Sequence, residues 1–94
     1  MSNITKEELE TLATIFLKAR NKLELTRLLQ DLFSNKELET LILRADIAKR
    51  LYRGESYETI ERETGASSAT IAKISESLKY GKDGLITVLN RMRR

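Results

Sequence analysis

The chain contains no proline, and its aliphatic residues recur at intervals of three and four positions along most of its length. This spacing places apolar side chains along one face of a helix, whereas a half-buried strand alternates apolar and polar residues. The β-branched residues are scattered and do not alternate, so no segment is predicted to be a strand. With 40% hydrophobic residues and only 5% aromatic residues, the composition favours an all-α fold.

Helix boundaries can be predicted from capping residues. Residues 5–8 read Thr-Lys-Glu-Glu, a capping box that predicts a first helix running to about Ala19. The second helix carries an apolar stripe between Leu25 and Phe33. A second capping box, Ser-Asn-Lys-Glu at residues 34–37, opens the longest helix, and Gly54 lies where a left-handed C-terminal cap is expected.

These first three helices carry more large aliphatic side chains than a segment of this size can bury alone. Core packing within the chain is the simplest explanation for the apolar stripes. A homodimer would cover the apolar surface that remains. We therefore expect a second copy of the chain as a partner.

Several classes of function are excluded or disfavoured by residues that the sequence lacks. It has no Cys and no His, so thiol chemistry, disulfides and the common metal sites are excluded. A carboxylate pair such as Glu58 with Glu61 or Glu63 is more simply explained as solvated helix charge, and we predict no catalytic or metal-binding residue. The N-terminal residues resemble no signal peptide, and the apolar runs are too short to cross a membrane. We expect a cytoplasmic protein that is not an enzyme.

Residues 55–80 carry the most specific pattern in the sequence. Ser56 is placed to cap a short helix over 57–64, and Gly65 can supply the positive φ of a tight turn. Ser67 then caps a second helix, which is predicted from Ser68 to about Lys79. Two short helices joined through a glycine are typical of a helix-turn-helix.

The two faces of the second helix have different chemistry. Ile71, Ile74 and Leu78 recur at helical spacing and are predicted to point inward, as is Ile60 on the first helix. The second helix of such a unit lies in the DNA major groove, where small side chains allow close approach and hydroxyls or cations contact bases and phosphates. The predicted DNA-binding residues are Ser67, Ser68, Ala69, Ala72 and Lys73, with Thr70 and Lys79 as secondary contacts to phosphates.

The charge distribution is mixed for a DNA-binding protein. Residues 67–94 hold six basic and two acidic residues, a net charge of +4, which suits a polyanionic partner. Residues 55–66 hold four glutamates and one arginine, a net charge of −3, which would repel phosphate. The alternative hypothesis is therefore a helical protein-interaction or dimerisation module that does not bind DNA.

Three segments resemble the Trp-repressor-like helix-turn-helix family of YerC/YecD type. They are Gly54–Tyr57, Thr64–Ile71 and Leu78–Gly84, and the Gly-Ala-x-x-Ala-Thr-Ile stretch at 65–71 is shared with the Trp repressor itself. The resemblance extends over residues 12–92 and is strongest between 50 and 84.

The resemblance implies one domain over 1–94, folded as six helices in an intertwined homodimer. Residues 1–54 would form the helical dimerisation core, 55–80 the helix-turn-helix and 83–93 the C-terminal helix. The two helix-turn-helix units would enter successive major grooves of a pseudo-palindromic operator. The last helix would pack on the partner subunit through its apolar residues Leu85, Ile86, Val88 and Leu89.

By this resemblance the chain would be a bacterial transcriptional regulator, most simply a repressor that occludes a promoter. Its partner would be double-stranded operator DNA, and it would associate with the nucleoid when bound. The sequence identifies no effector.

Tryptophan as a corepressor is disfavoured by two positions. In the Trp repressor the indole lies between two arginines, and Arg44 and Lys73 occupy those positions here. Ser34 stands where a threonine contacts the ligand, and Ser77 also matches. A lysine cannot stack a planar group on an indole, and Ile74 replaces a glycine that leaves room for the ligand. We therefore expect no cofactor.

Arg44 also has a simpler interpretation than a ligand contact. An arginine in the middle of a long helix commonly pairs with a nearby carboxylate. Asp46 and Glu37 are the predicted partners.

Overall fold

A computed structural model describes residues 3–93 and contains six helices, with no strand in that range. The all-α, six-helix prediction is confirmed. The helices are α1 (Lys6–Leu17), α2 (Lys22–Leu32), α3 (Asn35–Tyr52), α4 (Tyr57–Thr64), α5 (Ser68–Tyr80) and α6 (Gly84–Met92).

Both predicted capping boxes are present. The Thr5 hydroxyl accepts from the Glu8 N–H at 3.0 Å, and the Glu8 carboxylate accepts from the Thr5 N–H at 2.8 Å. This backbone hydrogen bond from Thr5 holds the pKa of Glu8 below its ordinary value. Ser34 and Glu37 form the same reciprocal pair at 3.2 and 2.8 Å. Each box satisfies two backbone donors that a helix start leaves without partners.

The chain forms two compact units, one ending at Leu38 and the other beginning at Glu39. In the first unit, the rings of Phe16 and Phe33 meet edge to face with centroids 6.5 Å apart. None of its described residues is buried. Large apolar side chains remain exposed there: Ile4, Leu9, Leu12, Ile15, Leu17, Leu23 and Leu32. The first unit therefore has no core of its own, and the division of 1–94 into functional regions stays a prediction.

The second unit has a hydrophobic core. Ile47 of α3, Ile60 of α4 and Ile71 of α5 are completely buried. Ile74, Ala48 and Leu89 join them, and Leu78 is partly buried against the same cluster. The predicted inward faces of α4 and α5 are therefore confirmed. Because one isoleucine from each of three helices fills the centre, the core fixes α4 and α5 against the long helix.

The end of α3 forms a Schellman motif. Gly54 has φ +88°, a conformation that glycine adopts without steric cost. The Gly54 N–H donates to the Leu51 carbonyl and the Glu55 N–H donates to the Arg50 carbonyl, both at 3.0 Å. The motif ends the helix and returns the chain toward Arg50, so that Glu55 lies beside it.

The C-terminal helix packs on its own protomer through one of the residues predicted for the partner subunit. Leu89 is buried in the core of the second unit, and the Tyr52 hydroxyl donates to the Asn90 side-chain oxygen. The assignment of Leu89 to the partner was therefore wrong, because this side chain completes the core beneath α5. Leu85 and Val88 are exposed.

Within residues 3–93, no helix is long and apolar enough to cross a membrane.

Candidate nucleic-acid interface

Hydrogen bonds of Thr64, the last residue of α4, and of Gly65 stabilise the turn between α4 and α5. Gly65 has φ +75°, and its N–H donates to the Glu61 carbonyl at 2.9 Å. The Thr64 hydroxyl donates to the Ile60 carbonyl at 2.6 Å and accepts from the Ala66 N–H at 3.2 Å. The threonine therefore links the last turn of α4 to the start of the next segment. Its bracing role is not apparent from the sequence.

The start of α5 is capped as predicted. The Ser67 hydroxyl oxygen accepts from the Thr70 N–H at 3.2 Å, and the two hydroxyl groups are hydrogen-bonded at 3.0 Å. Ser67 therefore stabilises the helix, and both hydroxyls have a partner within the protein. Other N–H groups of the first turn have no intrahelical acceptor, and such groups favour an anion. The first turn of α5 contains no acidic residue.

The outward face of α5 is accessible. Ile71 and Ile74 on the opposite face are 0% and 8% exposed. Lys73 makes no ion pair with any residue between 3 and 93. Of the predicted DNA-binding residues, Thr70 is half-buried and the others are exposed: Ser67, Ser68, Ala69, Ala72, Lys73 and Lys79. The structure brings the residues at 67–73 together on the first two turns of α5; their contact with DNA stays a prediction.

Arg50 of α3 partly neutralises the acidic segment 55–66 that precedes α5. Arg50 Nε lies 3.1 Å from Asp46 Oδ2, and Arg50 Nη1 lies 3.1 Å from Glu55 Oε1 and 3.8 Å from Glu63 Oε1. Sequence reasoning missed this cluster. The spacing of Asp46 and Arg50 was the available signal, because residues four apart face each other on a helix.

The cluster also corrects the prediction for Arg44. Asp46 pairs with Arg50 one turn later, and the Glu37 carboxylate is bound to the Ser34 N–H. Both predicted partners of Arg44 are therefore engaged elsewhere. Arg44 is exposed and has no ion pair among the residues that the structure describes.

Two of the residues predicted for a ligand pocket share a depression. Lys73 and Ser77 line it together with Glu76, Tyr80 and Gly81, around a volume of about 410 Å³. All of these residues are exposed, whereas small-molecule sites bury most of the ligand surface. Ser34 and Arg44 do not line this depression. A further surface would be needed to enclose a ligand there.

No metal site is apparent in the described part of the chain. It contains no group of three or more Asp or Glu side chains arranged to hold a metal ion. The carboxylates of Asp46, Glu55 and Glu63 instead surround a guanidinium.

The helix-turn-helix arrangement of α4 and α5 agrees with a comparison of the whole sequence. The family model described as "Trp repressor protein" matches residues 7–93. The chain belongs to the Trp repressor family. Members of the Trp repressor family are regulators and not enzymes, in agreement with the prediction from composition.

Individual relatives place the chain beside YerC-type proteins of the Trp repressor family. It is 36% identical to the uncharacterized protein YerC of Bacillus subtilis over 87 residues, which cover 93% of this chain and 84% of YerC. A TrpR-like protein from Eubacterium eligens superimposes with a TM-score of 0.85 at 31% identity, covering 95% of this chain and 92% of the other. A candidate Trp repressor from Staphylococcus aureus superimposes with a TM-score of 0.84 at 35% identity, covering 95% of this chain and 89% of the other.

Proposed function

We propose that this chain is a sequence-specific DNA-binding transcriptional regulator that acts on operator DNA as a homodimer. The observation that carries the proposal is the α4–turn–α5 unit. A left-handed Gly65, a capping Ser67 and the buried Ile71 together present one accessible face of α5. Helices presented in this way enter the major groove with their N-terminal residues toward the bases.

The residues of α5 would divide the contacts between bases and phosphates. Ser68, Ala69 and Ala72 are small enough for the helix backbone to approach the groove floor, and the alanines can contact thymine methyl groups. Lys73 is the charged contact. Thr70 and Lys79 would contact phosphates. Repression would follow from occlusion of a promoter by the bound protein.

The exposed apolar surface of the N-terminal unit supports a homodimer. Leu9, Leu12 and Leu17 are 55%, 40% and 82% exposed. Large apolar side chains exposed together in this way are typical of an interaction surface. A second copy of the chain would cover it and would place two α5 helices on one DNA duplex.

Replacing Lys73 with alanine tests the proposed contact face. If Lys73 contacts a base, the binding free energy falls by roughly 1–3 kcal/mol and the preference at one base position is relaxed. If it contacts a phosphate, affinity falls for all sequences and the slope of log K against log salt decreases by about one. Fluorescence anisotropy with labelled duplexes at several salt concentrations measures both quantities.

Lys18→Ala is the matched control, since this exposed lysine lies in the other compact unit. It is expected to retain wild-type affinity. Equal affinity of Lys73→Ala and the wild-type protein would contradict the assignment of the α5 face. Absence of salt-dependent binding by the wild-type protein at low ionic strength would favour the protein-interaction module.

We expect no tryptophan dependence in the same titration. Ile74 is buried in the core and Lys73 cannot stack on an indole in the manner of arginine. Adding L-tryptophan should therefore leave the DNA affinity unchanged. The effector is unidentified, and the protein would work in the bacterial cytoplasm, on the nucleoid.

A further inference from the structure

The acidic segment at 55–66 carries a net charge of −3 directly before the helix proposed to enter DNA. Four carboxylates at this place would weaken attraction to the phosphate backbone. Two of them, Glu55 and Glu63, lie within ion-pair distance of one cation, Arg50. The other two differ in exposure: Glu58 is exposed and Glu61 is half-buried.

Arg50 is held in place by the fold of α3. Its Nε lies 3.1 Å from Asp46 Oδ2 on the same helix, and its side chain is 23% exposed. The Schellman motif at Gly54 brings Glu55 back beside it, with Nη1 and Oε1 3.1 Å apart. The same Nη1 lies 3.8 Å from Glu63 Oε1 at the far end of α4. One guanidinium therefore contacts three carboxylates from α3, the connecting turn and α4.

The cation persists at every practical pH. The hydrogen bond to Asp46, and to a smaller extent the one to Glu55, raises the pKa of the Arg50 guanidinium above its ordinary value. Three further cations lie nearby, but among residues 3–93 none of them forms an ion pair with these carboxylates: Lys49, Arg53 and Arg62. The neutralisation therefore depends on Arg50.

We propose that Arg50 is a counter-cation that neutralises Glu55 and Glu63 and so lowers the repulsion between the acidic segment 55–66 and DNA. In this proposal Arg50 does not contact DNA. It changes DNA affinity by neutralising these two carboxylates. The inference rests on the proposed DNA-binding function.

The experiment is a double-mutant cycle on binding of a labelled random-sequence duplex at low ionic strength. Arg50→Gln exposes the carboxylates and is expected to weaken binding about tenfold, equivalent to about 1.4 kcal/mol. Glu63→Gln alone should change affinity less than about twofold, because Arg50 already shields that charge. In the Arg50→Gln background, the same Glu63→Gln change should recover about threefold or more. Coupling of this kind is expected for two residues of one salt-bridge network.

Arg44→Gln is the matched control, because it removes the same charge from the same helix at a position without an ion pair. Its expected loss is smaller than that of Arg50→Gln. Equal losses in the two variants, or no recovery in the double variant, would overturn the inference. Failure of the wild-type protein to bind any duplex would instead overturn the proposed function.

Thermal unfolding followed by circular dichroism shows whether Arg50→Gln folds. If it does not, two variants of the otherwise unchanged chain test the same inference. Glu58 is exposed and has no ion pair with any residue between 3 and 93. Glu58→Gln should therefore raise DNA affinity more than Glu63→Gln. An equal or larger gain from Glu63→Gln would show that Glu63 is not shielded and would overturn the inference.

Discussion

Replacing Leu9 with aspartate is expected to dissociate the proposed homodimer. Leu9 lies on the apolar stripe of α1 and is 55% exposed in the protomer. A carboxylate buried at the dimer interface would have no partner, and burying an unpaired charge is costly. We expect the dimer dissociation constant to rise about 100-fold or more, equivalent to about 2.8 kcal/mol. Sedimentation velocity over a range of protein concentrations measures this constant.

Thr11→Asp is the control for this substitution. At about 100° per residue, Thr11 lies about 200° around α1 from Leu9 and so on its polar face. It introduces the same charge into the same helix and should leave the dissociation constant nearly unchanged. A wild-type protein that sediments as a stable folded monomer would contradict the dimer outright.

Replacing Ile47 with alanine is expected to destabilise the second unit strongly. Ile47 is 0% exposed and packs in the cluster that contains Ile60 and Ile71. Removing a buried isoleucine side chain to the β-carbon costs about 2–5 kcal/mol, because the apolar contacts are lost and a cavity remains. This is a large part of the stability of a small domain. Urea denaturation followed by circular dichroism gives the free energy of unfolding.

Ile47→Val provides a graded control, since it removes one methyl group from the same site. Its expected cost is about 0.5–1.5 kcal/mol. The free energy of unfolding should fall from the wild-type protein to Ile47→Val and again to Ile47→Ala, and this order tests the burial of the side chain. An alanine variant as stable as the wild-type protein would contradict the core described here.

Local signals in the sequence predicted most of the fold. The capping boxes at Thr5 and Ser34, the glycines at 54 and 65 and the cap at Ser67 each satisfy backbone groups of neighbouring residues. Such interactions depend on a few consecutive residues, so their patterns can be recognised without the tertiary structure. The inward positions of α4 and α5 followed from helical periodicity for the same reason.

Interactions between distant segments were not predictable in the same way. The pairing of Arg50 with Asp46 follows a four-residue spacing within α3, but the contact of Arg50 with Glu63 joins two helices and has no such signal in the sequence. Leu89 was assigned to the partner subunit, but it completes the core of its own protomer. The sequence alone offers several carboxylates as partners for one cation, and several apolar residues as contacts for one leucine. Only the packing of α4 and α6 against α3 selects among them.

Selection of bound DNA from a random pool by the purified protein is the most direct test of the central claim. We expect an enriched, pseudo-palindromic site whose half-sites are separated by about one helical turn, roughly 10 base pairs, because two α5 helices would enter successive major grooves. Lys73→Ala should select the same symmetry with a weaker preference at one position or lower affinity throughout. A pool that shows no enriched sequence after repeated rounds would contradict the assignment of this chain as a sequence-specific regulator.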